Sequence, residues 1–397
     1  MLAHRWVLAG LGAALAIGLA APPAQAQAAD PTTGQPAPAA AGWLADQLVD
    51  GKFLRFAGTE FAAPGLTIDA VLAFAAAGVA GDAAAAATGW LAEPAVVSGY
   101  VGDGTVEAYA GPHAKLAFAA QVQGLDPATF GGVDLPARLL TLLDSDGRFS
   151  DRSEFGDFSN AFSQSFAILA LAGTPAGVPP EAVAFQLAAE CPDGGFPEQF
   201  GTDPCASDVD STAMVVQALL AVGADPTAAV DWLAGQQHAD GGFGSDAGNA
   251  NSTGLAAQAL RAAGRDGPAD RAVGFLLSLQ VGCAGPDDQR GSIRTSAEAD
   301  GDVPRATAQA VLGLVGTGLA ELDGTASQAA APVLECATAP SPTPPASPPP
   351  AGAGGELPVT GGPVGLLLVV GAALAGTGGA AILASRVRRR GPGSSAG

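Results

Sequence analysis

A turn of the form Gly-x-aromatic recurs along this chain at nearly constant spacing, and this repeat restricts the possible folds more than any other feature. The clear copies are Gly51-Lys52-Phe53, Gly147-Arg148-Phe149, Gly194-Gly195-Phe196 and Gly241-Gly242-Phe243, and the weaker ones are Ser98-Gly99-Tyr100 and Gly291-Ser292-Ile293. Their last residues are 47, 49, 47, 47 and 50 positions apart. A period of this size is typical of stacked supersecondary units.

Each unit is predicted to contain two helices, because apolar residues recur at helical spacing before and after each turn. The helix after each turn ends at a glycine that suits a left-handed C-cap: Gly78, Gly124, Gly173, Gly223, Gly264 and Gly316. A helix pair cannot bury its apolar face alone, so six pairs must stack openly or close into a ring. The second helices, such as 212–222, are apolar almost all round, which favours closure. We therefore predict an all-α (α/α)6 toroid over residues 42–336.

The two ends of the chain predict export. Residues 1–26 combine a basic start, an apolar stretch and the small-x-small sequence Ala24-Gln25-Ala26, as in a signal peptide cleaved after Ala26. A membrane span is the alternative. Residues 27–41 then form a linker. Residues 337–356 are rich in proline, which favours an extended linker that spans the cell wall.

Residues 357–397 begin with Leu357-Pro358-Val359-Thr360-Gly361, followed by an apolar stretch and four arginines. This segment resembles the LPXTG sorting signal of Gram-positive surface proteins. The resemblance implies that a sortase cleaves between Thr360 and Gly361 and joins Thr360 to peptidoglycan. Before sorting, the apolar stretch is long enough to be a transmembrane helix held by the positive-inside rule. A permanent membrane anchor is the alternative, and both place the toroid outside the cell.

Charge excludes one class of partner. The chain has 17 Lys+Arg against 38 Asp+Glu and a formal net charge of -21. An acidic protein without a basic cluster on its exported part does not bind nucleic acid.

The four cysteines are even in number and lie outside the cell, so two disulfides are predicted, Cys191 with Cys205 and Cys283 with Cys336 by proximity in sequence. Other pairings, free thiols or a metal role remain open.

The segment from Trp232 to Phe243, Trp-Leu-Ala-Gly-Gln-Gln-His-Ala-Asp-Gly-Gly-Phe, resembles the repeat of squalene cyclases and protein prenyltransferases. The resemblance extends over residues 42–320 and implies six inner and six outer helices around a central cavity. The segment from Ser252 to Leu260 is similar to part of the cobalamin carriers intrinsic factor and transcobalamin, which implies a corrinoid as one possible ligand.

Residues 207–213 contain the candidate for acid chemistry. Ser207-Asp208-Val209-Asp210-Ser211-Thr212-Ala213 resembles the Asp-x-Asp-Asp-Thr-Ala motif of class II terpene cyclases. The resemblance implies that Asp210 is the general acid and Asp208 its partner, with Ser211 departing from the motif. The residues alone also allow a structural role, because Asn160 and Asn251 occupy equivalent positions and Asp and Asn are preferred N-caps.

Candidate ligand-binding residues lie on the inner helices. Phe155, Phe158, Phe162 and Phe166 form a stripe at helical spacing near the third inner helix, which fits either the core or the wall of the cavity. We expect a ligand to contact Phe158, Phe162, Phe166, Asp210 and Asn251. No cofactor and no metal site is predicted, because the two histidines of the exported part are far apart and neither has a cysteine at ligand spacing.

Three functions fit these observations. The first is a wall-anchored binding or display module for an apolar or corrinoid-like small molecule. The second is a class II terpene-cyclase-like enzyme that uses Asp210 as general acid. The third is a purely structural adhesion module. The exchange Asp210→Asn separates a helix cap from a proton donor, because only the donor loses its activity.

Overall fold

The computed structural model describes residues 35–244, 247–298, 301–334 and 336. The predicted signal peptide (1–26), wall-spanning linker (337–356) and sorting signal (357–397, with Thr360 and Gly361) lie outside the described residues. The predicted linker 27–41 lies partly inside them, and the first helix begins within it, at Pro36.

Thirteen helices lie within these described ranges. In chain order they are α1 (Pro36–Asp46), α2 (Pro64–Ala77), α3 (Gly81–Leu91), α4 (Pro94–Val101), α5 (Ala110–Val122), α6 (Leu135–Leu140), α7 (Ala161–Ala172), α8 (Pro180–Ala188), α9 (Val209–Ala221), α10 (Thr227–Gly235), α11 (Ala250–Ala262), α12 (Asp266–Leu279) and α13 (Val303–Val315). Two short strands, β1 (Phe196–Pro197) and β2 (Ser207–Asp208), pair antiparallel just before α9. The chain is therefore mostly helical, as predicted.

Six of these helices form an inner ring in the order α2, α5, α7, α9, α11 and α13. Each packs against the next, and α13 packs against α2, so the first and sixth units meet. The closest approach joins α11 and α13, where Gly254 and Gly313 lie face to face and a Cβ on either would reach the other helix's backbone within 3 Å. The remaining helices cover the outside of the ring. This arrangement is that of an α/α toroid.

In five of the six inner helices, a buried polar side chain near the start of the helix fixes that helix to the turn before it; in α5 the equivalent residue, His113, bonds to the Tyr109 carbonyl instead. Thr212 Oγ1 accepts a hydrogen bond from the Phe196 amide at 2.9 Å, and Thr253 accepts one from the Phe243 amide at 2.9 Å. The same contact joins Thr67 to Leu54, Gln164 to Phe149 and Thr307 to Ile293. The residue whose amide is held in this way is buried beneath its turn in every case. This repeated contact sets the register of the inner helices.

Two of the predicted turns differ in the structure. In the first unit Leu54, not Phe53, is buried beneath the turn, and the Phe53 ring stacks on Trp90 with centroids 4.9 Å apart. In the second unit Gly99 and Tyr100 lie inside α4, and the turn follows at Gly102. In the second unit the shift arises because two outer helices, α3 and α4, lie between α2 and α5 and move the turn along the chain.

The helix-ending glycines behave as predicted with one exception. Gly78, Gly124, Gly223, Gly264 and Gly316 have positive φ, as a left-handed helix end requires. Gly173 has φ of -82° and is not left-handed. A Cβ at Gly173 would lie 2.7 Å from Gln121 Oε1, so close packing, not backbone conformation, favours glycine there.

The exchange Thr253→Val should lower the free energy of unfolding by about 2 kcal/mol, because it leaves the buried Phe243 amide without an acceptor while keeping the side-chain shape. Urea unfolding followed by circular dichroism measures this loss. The matched variant Thr253→Ser keeps the hydroxyl and should lose less. Equal losses in both variants would mean that the methyl group, not the hydrogen bond, stabilises the turn.

The segment that follows α13, which we call the C-terminal strap (residues 317–334), crosses one end of the ring. The Leu319 amide donates to Gln217 Oε1 on α9 at 3.0 Å, and Gln258 Nε2 on α11 donates to the Thr317 carbonyl at 2.7 Å. Further along, the amides of Gly324 and Gln328 donate to the last carbonyls of α5 and of the α2 C-cap. Because α9 and α2 lie on opposite sides of the ring, the strap covers the C-terminal end of its axis.

Two disulfides are present, with the pairing expected from sequence. Cys191 bonds to Cys205 and fastens the loop before α9, and Cys283 bonds to Cys336 just beyond the strap. Their presence is consistent with an extracellular protein. Among the described residues, no helix is both long and apolar enough to cross a membrane.

Candidate functional site

The end of the ring axis opposite the strap lies at the N-terminal ends of the inner helices, and helical geometry identifies the side chains around it. Each inner helix has one buried polar residue near its start that points away from the axis: Thr67, His113, Gln164, Thr212, Thr253 or Thr307. Residues two positions before and after it are rotated by about 200° and therefore face the axis. The upper layer consists of Gly65, Gly111, Phe162, Asp210, Asn251 and Arg305. The lower layer consists of Asp69, Lys115, Phe166, Met214, Leu255 and Gln309. We call these two layers the axial mouth.

Exposure decreases quickly with depth in the axial mouth. Phe162, Asp210 and Asn251 in the upper layer are half-buried. In the lower layer, Phe166 is 9% exposed, Leu255 6% and Met214 2%. The two layers are four residues apart, or about 6 Å along a helix. Side chains therefore largely fill the lower layer, in which Lys115 and Gln309 remain partly exposed.

Asp210 is the ionisable group of the upper layer whose surroundings differ most from water. Its Oδ1 atom is buried and has no hydrogen-bond partner among the described residues. Burial raises the pKa of Asp210 to about 6, the negative charges of Asp208 and Glu198 add to this rise, and a hydrogen bond from the Ser252 side chain opposes it. The carboxyl group therefore changes charge close to neutral pH.

Asp210 does not cap a helix in the structure. Asp208 is the N-cap of α9, and its Oδ1 accepts a hydrogen bond from the Ser211 amide at 2.8 Å. Asp210 lies in the first turn of the helix instead. The same shift occurs in α11, where Asn249 is the N-cap and Asn251 lies inside the helix. The interpretation of Asp210 as a helix cap was therefore wrong, because the β1–β2 pairing places Asp208 at the helix start.

An ion pair lies among aromatic rings at the floor of the mouth, on the side opposite Asp210. Lys115 Nζ lies 2.5 Å from Asp69 Oδ1 and donates a hydrogen bond to the Gly65 carbonyl at 3.0 Å. The same ammonium group lies 5.6 Å from the centroid of the Phe166 ring, and Phe118 packs against Phe166 with centroids 6.0 Å apart. Lys115 thus joins three neighbouring inner helices at the floor of the mouth.

The predicted ligand-binding residues are only partly brought together. Phe162 and Phe166 face the mouth, and Asn251 Nδ2 donates to Gln309 Oε1 at 2.9 Å across the α11–α13 contact. Phe158 is 66% exposed in the loop before α7, as is Phe155 at 71%. The predicted helical stripe was wrong for these two, because Asn160 caps α7 with a capping box and the helix begins at Ala161.

Sequence reasoning missed Asp69, Lys115 and Gln309. Aligning the inner helices on their buried Thr, Gln or His residue places all three in one layer, but the structure is needed to show which residues are buried in this way. Among the described residues, no group of three or more His, Cys, Asp or Glu side chains is placed to hold a metal ion.

Comparison with solved structures shows the fold of this chain. A protein from Actinoplanes matches with 20% identity and a TM-score of 0.51, over 70% of this chain and 97% of its own. The type II terpene cyclase MstE from Scytonema, in complex with geranylgeranyl dihydroxybenzoate, matches with 16% identity and a TM-score of 0.53, over 70% and 95%. A glycosidase matches with 16% identity and a TM-score of 0.51, over 72% and 96%.

The chain shares the α/α toroid fold with these proteins. At such low identity the likeness concerns fold alone. No protein-family model matches the chain, and no curated protein matches it.

Proposed function

We propose that this chain is an exported binding module that holds an apolar or corrinoid-like small molecule at the axial mouth. The strap covers the other end of the axis, so a ligand has access from the mouth alone among the described parts of the ring. Apolar side chains at the mouth, Phe162, Phe166 and Leu255, provide contact area for such a ligand. Because side chains largely fill the lower layer, we expect the ligand to lie at the mouth and not to be enclosed within the ring.

The observation that carries this proposal is the unpartnered Oδ1 atom of Asp210. Buried acceptors in proteins are almost always hydrogen-bonded, because an unpaired one costs free energy. Because Oδ1 is itself buried, a donor of the ligand reaches it only when neighbouring side chains move. The two charges that raise the pKa of Asp210, those of Asp208 and Glu198, are both negative, so a neutral or cationic donor fits the site.

We propose further that the toroid is displayed on the cell wall. Residues 1–26 are the export signal, and sortase joins Thr360 to peptidoglycan after release of Gly361 and the apolar segment. The two disulfides support this location. Muramidase digestion of cell walls, followed by mass spectrometry, should release peptides that end at Thr360 linked to wall fragments. Peptides that continue through Gly361 would instead indicate a permanent membrane anchor.

Binding can be tested with the purified full chain, using squalene, geranylgeraniol and cyanocobalamin as probes. A bound probe at saturating concentration should raise the thermal unfolding midpoint by several degrees, because it stabilises only the folded state. For geranylgeraniol and cyanocobalamin, which carry hydrogen-bond donors, Asp210→Asn should weaken binding about tenfold, as expected for loss of a charged acceptor. Squalene has no donor, and its binding should not change. The matched variant Asp208→Asn keeps the helix cap and should change binding less than twofold. Absence of binding by all three probes would favour the structural adhesion role.

A second candidate function is a class II terpene-cyclase-like enzyme with Asp210 as general acid. A buried carboxyl whose pKa is raised to about 6 is able to donate a proton near neutral pH, and this observation favours the candidate. The filled lower layer opposes it, because an enclosed isoprenoid chain needs several hundred Å³ of space.

The two functions predict opposite pH dependence. A carboxylate that accepts a hydrogen bond from a ligand must be ionised, so binding should weaken as the pH falls below about 6. A general acid must be protonated, so turnover should rise over the same range. Calorimetric titration of the bound probe and chromatographic detection of cyclic products from squalene, both from pH 5 to 8, distinguish them. Product formation that Asp210→Asn abolishes while binding persists would establish the enzyme.

A further inference from the structure

A second concave site lies on the outside of the ring, away from the axial mouth. It is a cleft of about 430 Å³ between the third-unit turn, the C-terminal end of α8 and the loop that follows β1. Its volume falls within the range of small-molecule pockets, roughly 300–1,000 Å³. The disulfide between Cys191 and Cys205 fastens this loop beside α8, and β1–β2 pairing fixes its ends. The walls of the cleft are therefore preorganised.

Two phenylalanine rings form the apolar side of the cleft. Phe185 on α8 and Phe200 on the loop meet edge to face, with centroids 5.0 Å apart and an interplanar angle of 80°. Both rings are half-buried, so part of each remains accessible in the cleft. The Arg148 guanidinium lies 5.4 Å from the Phe200 centroid and is held on its far side by Asp157 and Ser159. The aromatic pair is thus a fixed apolar platform.

Polar groups of both hydrogen-bonding types surround this platform. Arg148 supplies donors, and its Nε atom is buried without a partner among the described residues. Asp146 and Glu190 supply carboxylate acceptors, and Thr202 supplies a hydroxyl that can donate or accept. Glu190 has no ion pair or side-chain hydrogen bond within the described part of the chain. Together these groups can donate hydrogen bonds to, and accept them from, the hydroxyl groups of a ligand.

The charges of the cleft select against anionic ligands. The Arg148 charge is balanced by Asp157 at 2.8 Å, which leaves two carboxylates, Asp146 and Glu190, to repel an anion. A cation would compete with Arg148 for the face of Phe200. A neutral ligand with apolar C–H faces and many hydroxyls matches the ring platform, the donors and the acceptors together. We propose that this cleft is a carbohydrate-binding site that takes a short neutral oligosaccharide.

The test uses the purified full chain with cellotriose, maltotriose and triacetylchitotriose as separate probes, and ligand-observed NMR to detect binding. At least one probe should bind with a millimolar dissociation constant. Phe200→Ala should weaken it about tenfold, equivalent to about 1.4 kcal/mol of binding free energy. Phe155→Ala removes an exposed ring from another loop and should leave binding unchanged. Glu190→Gln, at an exposed position that does not affect folding, should weaken binding severalfold.

Three results would overturn the proposal: no binding of any probe, unchanged binding in both Phe200→Ala and Glu190→Gln, or preferential binding of tetramethylammonium, which would assign the cleft to a cation. Because Asp210 does not line this cleft, Asp210→Asn should leave oligosaccharide binding intact. Failure here is therefore distinct from failure of the axial-mouth proposal.

Discussion

Replacing both Cys283 and Cys336 by alanine should lower the free energy of unfolding by about 4 kcal/mol. The disulfide closes a loop of 53 residues, and the chain-entropy relation for a loop of this length gives a loss of that size. Removal of the Cys191–Cys205 disulfide, which closes 14 residues, should cost about 3 kcal/mol. Guanidinium unfolding under oxidising conditions, followed by circular dichroism, measures both losses.

Limited proteolysis adds a readout specific to the C-terminal strap. In the protein without Cys283 and Cys336 the strap is held by hydrogen bonds and by buried Leu319 and Leu322 alone, so its end should open more often. Cleavage within residues 317–334 should therefore accelerate. The protein without Cys191 and Cys205 serves as the control and should show no acceleration there. Equal cleavage in the two proteins would contradict the role given to the Cys283–Cys336 bond.

Protonation of buried His113 should by itself cost the fold about 3 kcal/mol of stability as the pH falls from 6.5 to 4, an effect that is visible alone once Asp210 is replaced. Burial, aided by the charges of Arg138 and Arg152, lowers the pKa of His113 to about 4, while a hydrogen bond to the Tyr109 carbonyl opposes this shift. The unfolded chain takes up a proton near pH 6.5 and the folded protein does not, so folding is penalised between the two values by about 1.4 kcal/mol per unit.

The raised pKa of Asp210 has the opposite effect on how stability depends on pH. Its folded value of about 6 exceeds the ordinary 3.8, so its contribution to stability is present at low pH and is lost as the pH rises through 6. The two groups should nearly cancel in the natural protein between pH 4 and 6. Urea unfolding at several pH values should show the His113 effect in Asp210→Asn and the Asp210 effect in His113→Gln. His113→Gln is a matched change, because Gln164 occupies the equivalent position of α7. A flat pH profile in both variants would exclude both shifts.

The glycine and aromatic residues of the turns were sufficient to predict the ring, because the repeat length and the apolar second helices allow few other arrangements. They were not sufficient to predict which residue of each turn lies beneath it, and hence the register between turn and inner helix. In the first unit Phe53 and Leu54 are both apolar, and only the Thr67 hydroxyl, 13 positions away, determines which one lies beneath the turn. A contact of that kind depends on how the helix packs, which the local pattern does not contain.

The candidate site was predicted in part for a similar reason. Asp208 and Asp210 are both suitable N-caps, and the extended backbone that the β1–β2 pair gives Asp208 decides between them. The capping box of Asn160 and Ser163 was visible in the sequence and would have placed Phe158 outside α7. Lys115 could not be placed from its neighbours in sequence, since its partners Asp69 and Phe166 lie on other helices.

The Cys283–Cys336 bond also determines how a pull on the chain beyond Cys336 is transmitted. Tension that arrives at Cys336 passes directly through the sulfur atoms to Cys283 at the start of the sixth-unit turn. Helix α13 and the strap lie between these two cysteines and carry none of that load. A pull on the chain beyond Cys336 therefore does not peel the strap away from the ring axis, because the disulfide bypasses both the strap and α13.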